Sequence, residues 1–259
     1  LKSHPNIVRG KTVSLVSTAI EGYTSGGIPY GSTSGDIYKN MPIIFRKNYS
    51  IPYEVFTIKD YLAKYYLIMR LSMEHDARII GTANPSSVLK MCEKGDQFSE
   101  LIIRDIYDGT ISYNFHIEPD VREIIEKQLT PNPKRSYELA AIRRDRKGRL
   151  LPADYWPNME LITCWKGGTV GHYIKKFPQW FNPDGDRNIA VRDWGFLSSE
   201  GRCSIPLTDQ GSAGVLAIKT NFYEFVDADE QQTDPDSPQS WTYLTADQLK
   251  DGCEYYIFI

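Results

Sequence analysis

The sequence predicts an α/β fold of layered sheets flanked by helices. Three observations lead there. Short β-branched or apolar runs (residues 12–16, 77–82, 159–165 and 188–192) alternate with stretches of helical apolar spacing, the pattern of strands covered by helices. The chain has 259 residues, enough to bury a large core in one large domain or two small ones. Polar, glycine-containing turns follow several strand candidates, the position where open α/β sheets hold ligands.

Residues 12–16 open the series, after Gly10-Lys11. The loop 21–34 contains Thr24-Ser25-Gly26-Gly27 and runs into Gly31-Ser32-Thr33-Ser34-Gly35. Loops of that length in a compact domain are functional or disordered. Without a Gly-Lys-Ser/Thr ending it is not a phosphate-binding P-loop, and a structural or pocket-lining role is expected. Tyr61, Leu62, Tyr65, Tyr66, Ile68, Met69 and Leu71 mark a helix over 58–74. A strand at 77–82 leads to Asn84, an N-cap candidate before Pro85. Further helices are expected over 86–94, 98–107 and 118–129.

The stretch 134–149 carries Lys134, Arg135, Arg143, Arg144, Arg146, Lys147 and Arg149. With no aromatics interleaved, it reads as a solvated helix end stopped by Gly148 rather than an anion-binding patch. After the strand 159–165, Gly167-Gly168-Thr169 opens a helix through Tyr173. Residues 215–218 and 222–226 read as a hairpin, 227–239 as an acidic, mobile loop, and 245–250 as a short helix capped by Thr245 and closed by Gly252. The run 254–259 stops inside a strand, which reads as a piece of a longer protein.

Composition excludes several classes. Hydrophobic residues at 41% and charged residues at 24% are those of a soluble globular domain. A net charge of −3 argues against broad nucleic-acid binding, and no apolar run approaches a membrane span. Cys92, Cys164, Cys203 and Cys253 form no Cys-x-x-Cys pair, so reduced cytosolic thiols are expected. His4, His75, His116 and His172 lack metal-ligand spacing.

The densest chemistry is Trp194-Gly195-Phe196-Leu197-Ser198-Ser199-Glu200-Gly201, directly after the strand 188–192. An aromatic face can stack on a base, hydroxyls can bond phosphate oxygens, and a carboxylate can hold Mg²⁺. Taken alone, the same residues could equally cap a helix.

Several segments, in this order, resemble one family: the auxin-responsive Gretchen Hagen family of acyl-acid amido synthetases and its bacterial relatives, of the adenylate-forming, firefly-luciferase-like superfamily. Trp156-Pro157-Asn158 with its following strand is similar to the family's Trp-Pro-Asn strand. Gly168-Thr169-Val170-Gly171-His172-Tyr173 resembles its Gly-Ser-Met-x-x-Tyr turn, and Phe196-Leu197-Ser198-Ser199-Glu200 its Tyr-Gly-Ser-Ser/Thr-Glu nucleotide motif. Asn221-Phe222-Tyr223-Glu224-Phe225 and Leu249-Lys250-Asp251-Gly252-Cys253-Glu254-Tyr255 resemble its Tyr-Phe-Glu-Phe and Leu-x-x-Gly-x-x-Tyr elements. Glu21-Gly22-Tyr23 through Gly35, and Gly81-Thr82-Ala83-Asn84-Pro85, are similar to bacterial members.

The resemblance implies part of the large N-terminal domain of an adenylate-forming enzyme. An upstream phosphate loop, a downstream Tyr-Arg-x-Gly-Asp element and a mobile C-terminal domain would lie outside these residues. It implies ATP with Mg²⁺, activation of a carboxylic acid as an acyl-adenylate, and transfer to an amine, expected to be an amino acid. Alternatives are transfer to a thiol such as coenzyme A, or a non-catalytic binding module. Phe196 would contact adenine, Ser198 and Ser199 would line the α-phosphate pocket with Leu197 beside them, and Glu200 would hold the metal. Gly168 and Thr169 would approach the nucleotide, or cap a helix. Thr82, Asn84 and Ser86 would face the acyl pocket, or cap the strand-to-helix turn. The sequence departs from the pattern at Phe196, where the family has Tyr, and at Leu197, which replaces a glycine.

Overall fold

The computed structural model describes residues 3–198 and 201–259. They separate into two compact units. The first runs to Trp194 and adds Thr208–Ser212; the second comprises Gly195–Leu207 and Ala213–Ile259.

After a 3₁₀ helix (Pro5–Arg9), the first unit continues with β1 (Lys11–Leu15) and a small antiparallel hairpin, β2 (Gly22–Tyr23) with β3 (Pro29–Tyr30). Helices α1 (Thr33–Lys39), α2 (Ile43–Arg46), α3 (Glu54–Thr57) and α4 (Tyr61–Ser72) lead to β4 (Ala77–Thr82). Then come α5 (Pro85–Gln97), α6 (Ser99–Asp108), α7 (Pro119–Glu126), α8 (Pro133–Asp145) and α9 (Pro152–Tyr155). After these follow β5 (Leu161–Thr163), a 3₁₀ helix (Gly168–Lys176), α10 (Pro178–Phe181) and β6 (Ala190–Arg192). The sheet order is β1-β4-β5-β6, with every neighbouring pair parallel. The pairings Leu15–Thr82, Gly81–Thr163 and Thr163–Arg192 bring all four C-terminal ends to one edge.

The helix expected over 58–74 starts later, at Tyr61, because Ile58 is extended (φ −61°, ψ 129°) and ends α3. Asp60 caps the new start, accepting from the Ala63 amide at 2.8 Å. Val13, Ile80 and Ile162 of the sheet are fully buried, as are Tyr66, Leu67 and Met69 of α4. A polar network sits within this core. Tyr66 donates to Asp105 Oδ2 at 2.6 Å and accepts from the Ser112 amide at 2.8 Å. Arg70, fully buried, donates to Glu74 and to the carbonyls of Asp105 and Thr110. Burial and the bond to Asp105 push the Tyr66 phenol far above its ordinary pKa, so it stays a donor.

The basic stretch is a helix end with Lys134, Arg144, Lys147 and Arg149 exposed, as expected, but its other arginines are held by distant partners. Arg135 donates to the carbonyls of Met73 and Tyr155. Arg143 pairs with Glu100, Arg146 with Asp154 and Asp184, and Arg149 with Asp96. The acids that neutralise it come from distant segments, which local charge patterning does not reveal. Gly148, at φ +94°, does end the stretch.

In the second unit, β7 (Ser204–Ile205) pairs antiparallel with β8 (Val215–Leu216), and β9 (Glu224–Asp227) with β10 (Tyr255–Phe258). The hairpin expected from 215–226 does not form. Both halves are extended but pair elsewhere, because period-2 patterning identifies a strand and not its neighbour. Cys203, Tyr223 and Phe225 bury against Leu216, Leu244, Leu249, Tyr255 and Ile257, and this small core selects the pairing. The expected loop 227–239 holds α11 (Ala228–Thr233), capped by Asp227 on the Asp229 amide at 2.9 Å, and a 3₁₀ turn at Pro238–Ser240. Asp229 and Glu230 in its first turn suit the helix dipole, so acidity there marked a helix start. Thr245 and Gln248 form a reciprocal capping box, and Gly252 takes φ +82°.

All four cysteines are free thiols, and Cys92, Cys164 and Cys203 are buried. Among the described residues no helix is long and apolar enough to cross a membrane.

Candidate functional site

A cavity of about 330 Å³ opens beside the C-terminal ends of β1 and β4. Its floor is Leu15 and Val16 from β1 and its exit, with Thr82, Ala83 and Asn84 from the end of β4. Phe56 of α3 and Tyr61, Lys64, Tyr65 and Ile68 of α4 form one wall. Ser17, Thr18, Glu21, Ser34 and Ser87 supply polar groups. A parallel sheet whose connections leave its C-terminal edge uncovered forms such a crevice by construction.

Two of the three residues expected at an acyl pocket meet here. Thr82 is buried and lines the cavity. Asn84 lines it and also caps α5, accepting from the Ser86 amide at 2.9 Å, so capping and pocket roles coincide. Ser86 is not in the lining; Ser87 is. The Asn84 cap fixes the first turn of α5, and one residue of helical advance rotates the side chain by about 100°. The loop 21–34 contributes Glu21 and Ser34, in line with its pocket-lining expectation.

Sequence reasoning missed Tyr61, Lys64 and Tyr65. Their signal was present: positions 61, 64, 65 and 68 form one i, i+3, i+4, i+7 stripe, and Lys64 is the single charge in it. Lys64 is half-buried, and its ammonium makes no hydrogen bond or ion pair among the described residues. Burial pulls its pKa below the ordinary lysine value, with Glu118 and Glu21 opposing that shift from a distance.

Along the same sheet edge, the turn after β5 is braced by its neighbours. The Lys166 amide donates to buried Asp193 at 2.6 Å, and the Lys166 ammonium to the Val191 carbonyl at 2.9 Å. Gly168 takes φ +60°, a conformation that favours glycine. Thr169 is exposed and its hydroxyl caps nothing; Gly167 is the N-cap, without a side-chain bond.

Phe196, Leu197 and Ser198 belong to the second unit. Gly195 takes φ +78°, and any Cβ there would meet the Ser204 carbonyl at 2.4 Å. The Phe196 amide donates to Ser204 Oγ at 2.9 Å, and the Phe196 carbonyl accepts from Cys203 and Ser204. Leu197 bridges Arg202, and the Ser198 amide donates to the Gly201 carbonyl. The backbone of this turn is thus held while the Phe196 ring is 48% exposed. Ser199 and Glu200 lie outside the described residues. Among the described residues no cluster of three or more metal-ligating side chains occurs.

A family model described as "GH3 family N-terminal domain" matches residues 1–185. Indole-3-acetic acid-amido synthetase GH3.5 of Arabidopsis thaliana is 23% identical over 185 residues, covering 69% of this chain and 30% of that protein. Jasmonoyl--L-amino acid synthetase JAR4 of Nicotiana attenuata is 24% identical over 209 residues, covering 75% and 34%. The chain thus spans about a third of the length of these relatives. Among solved structures, a GH3.15 acyl acid amido synthetase superimposes with a TM-score of 0.76 at 18% identity, covering 99% of this chain and 43% of that one. A second, the same synthetase from a complex with 2,4-DB, gives a TM-score of 0.71 at 16% identity.

Proposed function

The chain belongs to the GH3 family, and on that premise we propose that it is the central part of the large N-terminal domain of an ATP-dependent ligase. The whole enzyme joins a carboxylic acid to an amine, with an amino acid as acceptor. A carboxylate oxygen of the acid attacks the α-phosphorus of ATP and pyrophosphate leaves. The amine nitrogen then attacks the acyl carbon and AMP leaves. No protein nucleophile is needed. Mg²⁺ would neutralise charge on the phosphates.

The observation that carries this reading is the cavity at the C-terminal edge of the parallel sheet, lined by apolar side chains (Leu15, Val16, Phe56, Ile68) and polar ones (Thr18, Thr82, Asn84, Ser87) together. That is the combination a carboxylic acid requires. Thr82, Asn84 and Ser87 are assigned to the acid, with Ser86 behind them in the cap. Gly168 and Thr169 are assigned to the nucleotide. The exposed, backbone-anchored Phe196 ring suits a stacked adenine, with Leu197 beside it. Ser198 and Ser199 are assigned to the α-phosphate and Glu200 to Mg²⁺. Four free thiols suit a cytoplasmic location.

The test is acid-dependent exchange of pyrophosphate into ATP by the full-length protein across a panel of acids. Exchange, followed by amide formation with an amino acid, is the expected result. Thioester formation with coenzyme A in its place would favour the thiol acceptor, and acid binding without exchange would favour a binding module. The 259 residues alone should give no exchange, since the resemblance puts the phosphate loop upstream. Robust exchange by them would overturn that boundary.

A further inference from the structure

We propose that Lys64 makes this site select acids whose distal end carries an oxygen substituent, a hydroxyl or a carbonyl, over acids ending in hydrocarbon. This rests on the reading of the cavity as the acid site. The sheet gives the direction. The residues assigned to the nucleotide in the first unit, Gly168 and Thr169, follow β5, whereas the cavity lies over β1 and β4. Neighbouring strands are about 4.8 Å apart. An acid with its carboxylate toward β5 therefore places its far end beside β1 and α4, where Lys64 lines the wall.

Lys64 has an apolar stripe on its own helix, no hydrogen-bond partner among the described residues, and a half-buried, partly desolvated ammonium. A half-buried donor that no protein group engages is free to bond an acceptor that a ligand brings into the cavity. Glu21 lines the rim of the same cavity, and Glu118 acts on Lys64 from a distance. A second carboxylate on the ligand would meet their repulsion, so a neutral acceptor fits better. Ser17, Ser34 and Ser87 add hydroxyls that can take the remaining hydrogen bond of a ligand hydroxyl.

The experiment compares 3-phenylpropanoate with 3-(4-hydroxyphenyl)propanoate in full-length protein, wild type against Lys64→Met and Lys64→Arg. The readout is the ratio of kcat/KM for pyrophosphate exchange with the two acids. Wild type should prefer the hydroxylated acid at least about tenfold, since a site built to bond a hydroxyl rejects its absence strongly. Lys64→Met should bring the ratio to within about threefold of one, and Lys64→Arg should keep a preference. A ratio that survives in Lys64→Met, or that is near one in wild type, overturns the proposal. Calorimetric titration of both acids separates the two levels of the argument. If exchange is absent but the hydroxylated acid binds wild type tighter than Lys64→Met, selection by Lys64 stands and the ligase reading falls. If neither acid binds, both fall.

Discussion

Tyr66→Phe removes one oxygen from the core and leaves the volume of the ring in place. In the wild type that oxygen donates to Asp105 Oδ2 at 2.6 Å and accepts from the Ser112 amide at 2.8 Å. All three residues are at most 3% exposed, so water does not substitute for the lost partner. A hydrogen bond to a carboxylate contributes about 1.5–3 kcal/mol and one to an amide about 0.5–1.5 kcal/mol. The ring stacks on Phe115 with centroids 4.5 Å apart and should keep that contact. The substitution should therefore cost roughly 2–4 kcal/mol, without a cavity contribution. For a domain of this size, each kcal/mol moves Tm by about 2–4 °C, so a fall of about 4–16 °C is expected. Circular dichroism melts measure it. Hydrogen exchange adds a local reading, since the Ser112 amide should lose protection beyond its neighbours. A Tm within about 2 °C of wild type, with Ser112 still protected, would refute the argument that this network holds α4 to α6. The stakes are functional, because α4 carries Tyr61, Lys64, Tyr65 and Ile68 into the cavity wall.

Phe196→Ala in the full-length protein should weaken ATP binding by roughly 1–3 kcal/mol, the range for base stacking. Its ring is 48% exposed, so the loss of stability should stay well below the roughly 3–5 kcal/mol of a buried phenylalanine. Nucleotide titration beside a thermal melt decides, and a large melting loss with unchanged affinity would make it a packing residue. Glu200→Gln should slow adenylation by about 10²-fold or more, the scale of losing one electrostatic group from a charged transition state. Exchange within a few-fold of the parent would leave Glu200 as a helix-start carboxylate. His75 titrates below its ordinary value, first because burial penalises the imidazolium, then because Lys11 lies nearby. Its unfolded form thus binds more protons below about pH 6.5, and stability should fall as pH drops from there through the lower folded value. Melts between pH 7 and pH 5 should show this slope flattened in His75→Gln; an equal slope would rule His75 out as its source.

Elements whose signals are local could be read directly from the residues. The strand Ala77–Thr82 was legible from its β-branched run, and Asn84-Pro85 from the chemistry of caps and first turns. Gly148 and Gly252 announced stops where the backbone turns left-handed. The order of motifs was enough to identify the family. Thr82 and Asn84 were legible as pocket residues because a strand end and a helix cap adjoin in the chain. Tertiary structure alone decided what depends on distant partners. It paired β9 with β10 across 27 intervening residues rather than with its neighbour, because burial of Phe225 and Val226 chooses the partner. It set Arg135, Arg143 and Arg146 against acids and carbonyls that come from elsewhere in the chain. It also placed Lys64, half-buried, in the wall of the cavity. Helical spacing puts a lysine in line with Tyr61, Tyr65 and Ile68, but only the packing of α4 beside the ends of β1 and β4 half-buries it in the cavity wall.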